Sequence, residues 1–183
     1  MLSSVGLRAI NTLQDVTGDG LTAQTILREV SRAVQSIGWH FNSNVEVTYA
    51  PNSDNKIELG SNVVRVDQLD GYYTDYDVCQ RGDFLYDRKN NTDQFTEELV
   101  LDVIFLMDWE DLPEPARGYI MQRALRIFKD RRRADNKGRQ SQPSAEEMQA
   151  WTTLKDMESD TADHSIFDSD VAYQIINREG NVL

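Results

Sequence analysis

Two rhythms of apolar and polar positions run along the chain. From about Leu21 to Ile37, the apolar residues Ile26, Leu27, Val30, Val34 and Ile37 fall on one helical face. Gly38 follows as the expected left-handed cap, and Trp39 is placed to fold back onto the helix end. Val45, Val47 and Tyr49 then alternate with polar residues, which is the period of a strand. Residues 51–55 have the composition of a turn, and Ile57 and Leu59 alternate again. Val63-Val64-Arg65-Val66 and Phe84-Leu85-Tyr86 continue the strand pattern, and residues 88–93 read as a hairpin tip. Leu99, Leu101, Val103 and Phe105 alternate in the last strong strand, which Val100, Ile104 and Leu106 make apolar on both sides. The pattern predicts a small antiparallel β-region from about residue 44 to residue 108.

The helical rhythm then returns. Pro115 suits the first turn of a helix, with Glu114 favourable to its dipole. Ile120, Ala124, Ile127 and Phe128 make a core stripe, with Arg123, Arg126, Asp130 and Arg133 on the opposite side. A polar linker over residues 136–143 leads to Ser144-Ala145-Glu146-Glu147, a capping-box signature. Met148, Trp151, Leu154 and Met157 follow at three-residue spacing. The stretch from Asp160 to Leu183 is a mixed tail with apolar patches at Ile166-Phe167 and at residues 171–176, suited to docking on its own domain or on a neighbour. Helix, strands and helices again give an α+β class.

Composition narrows the chemistry. With 183 residues, 39% of them hydrophobic, the chain can bury a core. Its apolar runs fall far short of the roughly 20 residues of a membrane span, and its first residues lack the pattern of a signal peptide. The expectation is a soluble protein made in the cytoplasm. Cys79 is the one cysteine and His40 and His164 are the two histidines, so neither a disulfide nor a metal-ligand spacing is suggested. The net charge of −12 opposes general nucleic-acid binding. It is also uneven: residues 117–139 carry +7, leaving −19 for the rest. Arg117, Arg123, Arg126, Arg131, Arg132 and Arg133 are therefore candidate residues for contact between copies or with a partner.

Other chemistry has weaker support. Residues 15–20 resemble the start of a calcium loop, but Ile26 stands where a bidentate Glu is required, so a turn is expected. No phosphate-binding Gly-rich loop or nucleophile elbow occurs. The acid pairs Glu97/Glu98, Glu110/Asp111 and Glu146/Glu147, with Tyr72, Tyr73 and Tyr76, motivate an alternative as a glycan-degrading enzyme. The run Arg131-Arg132-Arg133 motivates a second alternative, contact with DNA. Acid pairs are expected on the solvated face of any acidic chain, and the tyrosines fit a half-buried strand edge.

Three blocks of residues resemble the tail tubular protein A family of T7-like podoviruses, also called tail adaptors or gatekeepers. The first is Val34-Gln35-Ser36-Ile37-Gly38-Trp39-His40-Phe41-Asn42 at a helix end. The second is Gly82-Asp83-Phe84-Leu85-Tyr86-Asp87-Arg88 followed by Phe95. The third is Leu112-Pro113-Glu114-Pro115-Ala116-Arg117 with Tyr119-Ile120, Arg123-Ala124 and Phe128. They occur in family order and spacing, and the match runs from residue 1 to about 176. Gly38, Trp39, Phe41, Asn42, Leu85, Tyr86, Asp87, Pro113 and Tyr119 are the motif positions expected to be structural. One departure is at the start, where the family's opening helix is longer than the single turn present here, which is too short to be stable alone.

The resemblance implies a helical bundle domain formed by the N- and C-terminal segments, with a small antiparallel β-domain inserted. On this division residues 1–43 and 110–160 build the helical domain, 44–109 the β-domain, and 161–183 a tail that docks on a neighbour or on the portal. It further implies a ring of twelve copies in the virion tail, between the portal protein and the tail nozzle (tail tubular protein B). Tail fibres attach near such a ring, and the genome DNA passes through its lumen without sequence-specific binding. No catalytic residue, cofactor or metal comes with that role.

Overall fold

The computed structural model describes residues 18–68, 75–132 and 141–161. Helix α1 runs Asp19–Gln35, and Ala23, Ile26, Val30 and Val34 bury its inner face. It starts two residues earlier than its pattern suggests and ends two sooner, so Ile37, expected on the core face, is 51% exposed. The cause is the turn that follows. Gly38 takes φ +83°, a backbone that favours glycine, and a Cβ there would crowd the Ile104 side chain. Trp39 then folds back as expected, its Nε1 donating to Val34 O at 2.8 Å.

Helix α2 spans Glu114–Arg132 and α3 spans Ala145–Thr161. Ala116, Ile120, Ala124 and Phe128 of α2 are fully buried against α1 and α3, and Leu112 and Leu154 complete this helical core. Asp19 meets Arg132 at one end of α1, and Gln35 meets the residues before α2 at the other, so α2 runs antiparallel to α1. Arg126–Glu147 and Tyr119–Trp151 contacts likewise make α3 antiparallel to α2. Two expectations fail here. Met148 is 61% exposed, because Glu147 rather than Met148 turns inward. Arg126, expected on the solvent side, lies under α3 with 16% of its side chain exposed.

Between α1 and α2 the chain forms two small antiparallel sheets. Strands β1 (Ser43–Tyr49), β5 (Leu99–Phe105) and β2 (Val63–Gln68) make the first, with β5 in the middle. That central place accounts for its two apolar faces, since Leu99, Leu101 and Val103 enter the β-core while Ile104 meets the α1 turn. Strands β3 (Val78–Arg81) and β4 (Phe84–Asp87) form a two-residue hairpin through Gly82, at φ +62°, and Asp83. No alternation announces β3. Ile57 and Leu59 are buried as their spacing suggests, but they touch β4 through one isolated bridge. In β1, Val45 and Glu46 together face Asp102 in a bulge, with Glu46 at φ +58° donating its N–H to the Asp102 carboxylate at 3.1 Å. Val45, expected inward, is therefore turned out and 72% exposed. The fold is α+β, with a small antiparallel β-region inserted in a helical bundle.

Replacing Gly38 by Ala is expected to cost on the order of 3 kcal/mol, combining positive-φ strain with overpacking. Urea denaturation measures this, and adding Ile104→Val, which removes the clashing methyl, recovers only the packing share.

Candidate assembly site

Both passages of the chain between helices and sheets cross one small polar junction. Gln35, on α1, has no exposed surface. Its Oε1 accepts the Met107 N–H at 2.7 Å, and its Nε2 donates to Met107 O at 3.2 Å and to Ser31 Oγ at 3.0 Å. Asn42, also buried, donates to Gln35 O at 3.0 Å and to Phe105 O at 2.7 Å, while its Oδ1 accepts the Trp39 N–H at 2.8 Å. The outgoing strand β1 and the returning strand β5 are thus tied to the end of α1 by two side-chain amides. Glu158 of α3 joins them, both carboxylate oxygens accepting from His40 N. Trp39 packs between Phe41, with ring centroids 6.3 Å apart, and Trp151, at 5.6 Å. Tyr119 lies 4.9 Å from Trp151 on the same cluster. Gly38, Trp39, Phe41, Asn42 and Tyr119 therefore converge on one place. Gln35 falls within the first motif block but is not singled out by spacing, because it sits beside the apolar stripe where a solvated polar residue is expected.

The basic segment lies on α2 as far as Arg132, and four of the six cations it carries among the described residues meet acid within the chain. Arg126 grips Glu147 with two hydrogen bonds, Nε–Oε2 at 2.7 Å and Nη2–Oε1 at 3.1 Å. It also donates to Ser141 O at 3.2 Å, and Asp130 accepts from Ser141 N and Oγ at 2.9 and 2.7 Å. Ser144 Oγ accepts the Glu147 N–H at 3.2 Å, which is one half of the expected capping box; the Glu147 carboxylate goes to Arg126 instead. Nearer the surface, Arg131 pairs with Glu29 at 2.8 Å, Arg132 with Asp19 at 3.2 Å, and Arg117 with Glu114 at 2.8 Å. Arg123 reaches the Tyr119 hydroxyl at 3.5 Å. Arg133 lies outside the described residues.

The central motif is a folding element of the β-core. Leu85 is fully buried, and the Arg81 guanidinium lies over the Tyr86 ring at 3.4 Å. Asp87 is buried and accepts from Asp77 N at 3.1 Å, Lys89 N at 2.9 Å and Asn90 Nδ2 at 2.6 Å. Burial works to raise its pKa, but these hydrogen bonds together outweigh it and hold the carboxyl below its ordinary value. The turn over residues 88–93 is closed by Asp87 N to Thr92 O and Thr92 N to Asp87 O. Pro113 is half-buried just ahead of α2, where its carbonyl accepts from Arg117 N.

Three of the residues behind the enzyme alternative, Glu97, Glu147 and Tyr76, have partners in the fold. Glu147 is held by Arg126, and Tyr76 packs on Phe95 at 5.9 Å while its hydroxyl donates to Glu97. Tyr72 and Tyr73 lie outside the described residues, as do residues 15–17 of the candidate calcium loop. Among the described residues no group of three or more His, Cys, Asp or Glu is placed to hold a metal ion.

A family model described as tail tubular protein matches residues 1–164, which takes in the junction, the β-region and helices α1, α2 and α3. The chain belongs to the tail tubular protein family. A search of curated proteins finds no match. As a tail tubular protein the chain is a structural component of a bacteriophage tail, which assembles with other parts of the virion. No helix among its described residues is long and apolar enough to cross a membrane.

Two outcomes follow for this tail tubular protein. Glu147→Gln leaves a buried guanidinium unpaired and is expected to cost about 3 kcal/mol in urea denaturation, with Arg126→Met plus Glu147→Leu recovering most of it. Because the folded pKa of Asp87 is depressed, its contribution is complete above the unfolded value near pH ~4 and is lost as pH falls through the folded value. Acid unfolding of the wild type should therefore steepen below about pH 4, and Asp87→Asn should flatten that limb.

Proposed function

We propose that this tail tubular protein is the ring-forming adaptor of a T7-like short-tailed phage. In this reading twelve copies sit between portal and tail nozzle, support fibre attachment, and conduct and help retain the genome. The role is architectural and needs no catalytic residue. The observation that carries the reading is the family match over residues 1–164, to which the three motif blocks add the adaptor subtype.

The charge agrees with a conduit. A net −12 body repels phosphate, so DNA can move past it without adhering. Arg131 and Arg132, the described part of the arginine run, face Glu29 and Asp19 of the same chain.

Electron microscopy of the protein mixed with portal is expected to show rings capping the portal, and bare portals beside unassembled protein would contradict the proposal. Duplex DNA should show no salt-dependent retention by the free protein; steep salt-dependent binding would replace the conduit with a DNA-gripping role.

A further inference from the structure

A ring of identical copies needs two different, complementary faces on each copy. The arginines of α2 are poor candidates for one of them, since Arg117, Arg126, Arg131 and Arg132 already meet carboxylates in their own chain. Helix α1 presents a different set. Leu21, Thr25, Arg28 and Arg32 are all exposed, and their spacing of four, three and four residues puts them on one stripe opposite the buried Ala23, Ile26, Val30 and Val34. Among the described residues, neither Arg28 nor Arg32 has a carboxylate within ion-pair distance. Arg32 also lines an open groove with Arg65 of β2, which extends the positive face onto the sheet.

Helix α3 presents the complement. Thr152, Asp156 and Asp160 follow at intervals of four on its exposed face, with the exposed Met148 at the flank. Asp156 and Asp160 likewise have no cationic partner among the described residues.

The fold sets these two stripes in matching directions. Both α1 and α3 run antiparallel to α2, so they are parallel to each other. Rotation about an axis along the helices keeps that direction, so α1 of one copy can lie beside α3 of the next. Glu158 reaches His40 N just past the end of α1, and Trp39, bonded to Val34 O, packs on Trp151. Asp156 therefore stands near the level of the last turn of α1, one turn above Arg32 and within the reach of a long arginine side chain.

We propose that neighbouring copies meet α1 to α3, the basic Arg28 and Arg32 face of one copy lying against the acidic Asp156 and Asp160 face of the next, with Arg32 reaching Asp156. This rests on the ring reading above.

The test uses two full-length variants with portal. Arg28→Glu with Arg32→Glu makes both faces acidic, and Asp156→Arg with Asp160→Arg makes both basic. All four positions are exposed, and unchanged thermal unfolding checks the fold. Each variant alone is expected to lose portal-bound rings by tenfold or more, and an equimolar mixture to restore them as alternating rings. Rings from either variant alone at wild-type yield, or a mixture that stays unassembled, would overturn this contact while leaving the ring reading intact. Absence of rings from the wild type would remove both.

Discussion

Two buried side-chain amides hold this fold together at its narrowest point. The chain leaves the helical core after Gln35 and returns to it after Phe105, and Gln35 and Asn42 bind both passages. A buried amide left unpaired costs roughly 1–3 kcal/mol, so these two do more than add stability: they admit one relative arrangement of α1, β1 and β5. Gly38 tightens the same point from the other side, its positive φ turning the chain so that α1 ends close against Ile104. The apolar cores on either side are separate, and this polar seam with its Trp39 cluster is where they become one body.

The electrostatics follow a similar division between inside and outside. An excess of acid would be expected to loosen a small bundle, and α2 answers it by carrying arginines toward the acids of α1 and α3. The buried Arg126–Glu147 pair fixes α3 in place and orients the segment entering it through Ser141 and Asp130. Exposed pairs such as Arg131–Glu29 are worth less than about 1 kcal/mol each, and they meet part of the positive charge of α2 within the chain. On the bundle, Arg28 and Arg32 stand exposed on α1 and Asp156 and Asp160 on α3, and the proposed contact between copies rests on these two faces.

Much of this was legible in residue order. The apolar stripe of α1, the Gly38 cap, the returning Trp39 and the two-faced strand β5 each follow from spacing and residue type, and each is found. The misses have physical reasons. Val45 has strand periodicity, but the bulge at Glu46 breaks the alternation, and its cause is the Asp102 carboxylate more than fifty residues away. Met148 fits the α3 stripe, yet the Arg126 guanidinium draws Glu147 inward and rotates Met148 out. Gln35 and Arg126 look like solvated positions because their partners come from distant segments. Sequence pattern reports apolar burial well and buried polar pairing poorly, and here the polar pairs decide how the elements join.

Hydrogen exchange at the Met107 amide tests this account most directly, because that N–H is donated to the buried Gln35 side chain at the seam. If the seam makes helices and sheets one cooperative unit, Met107 should exchange only through global unfolding, with the same opening free energy as the amides of Val30 in α1 and Leu101 in β5. A Met107 amide that exchanges by a local opening, or helix and sheet amides with separate opening free energies, would contradict it.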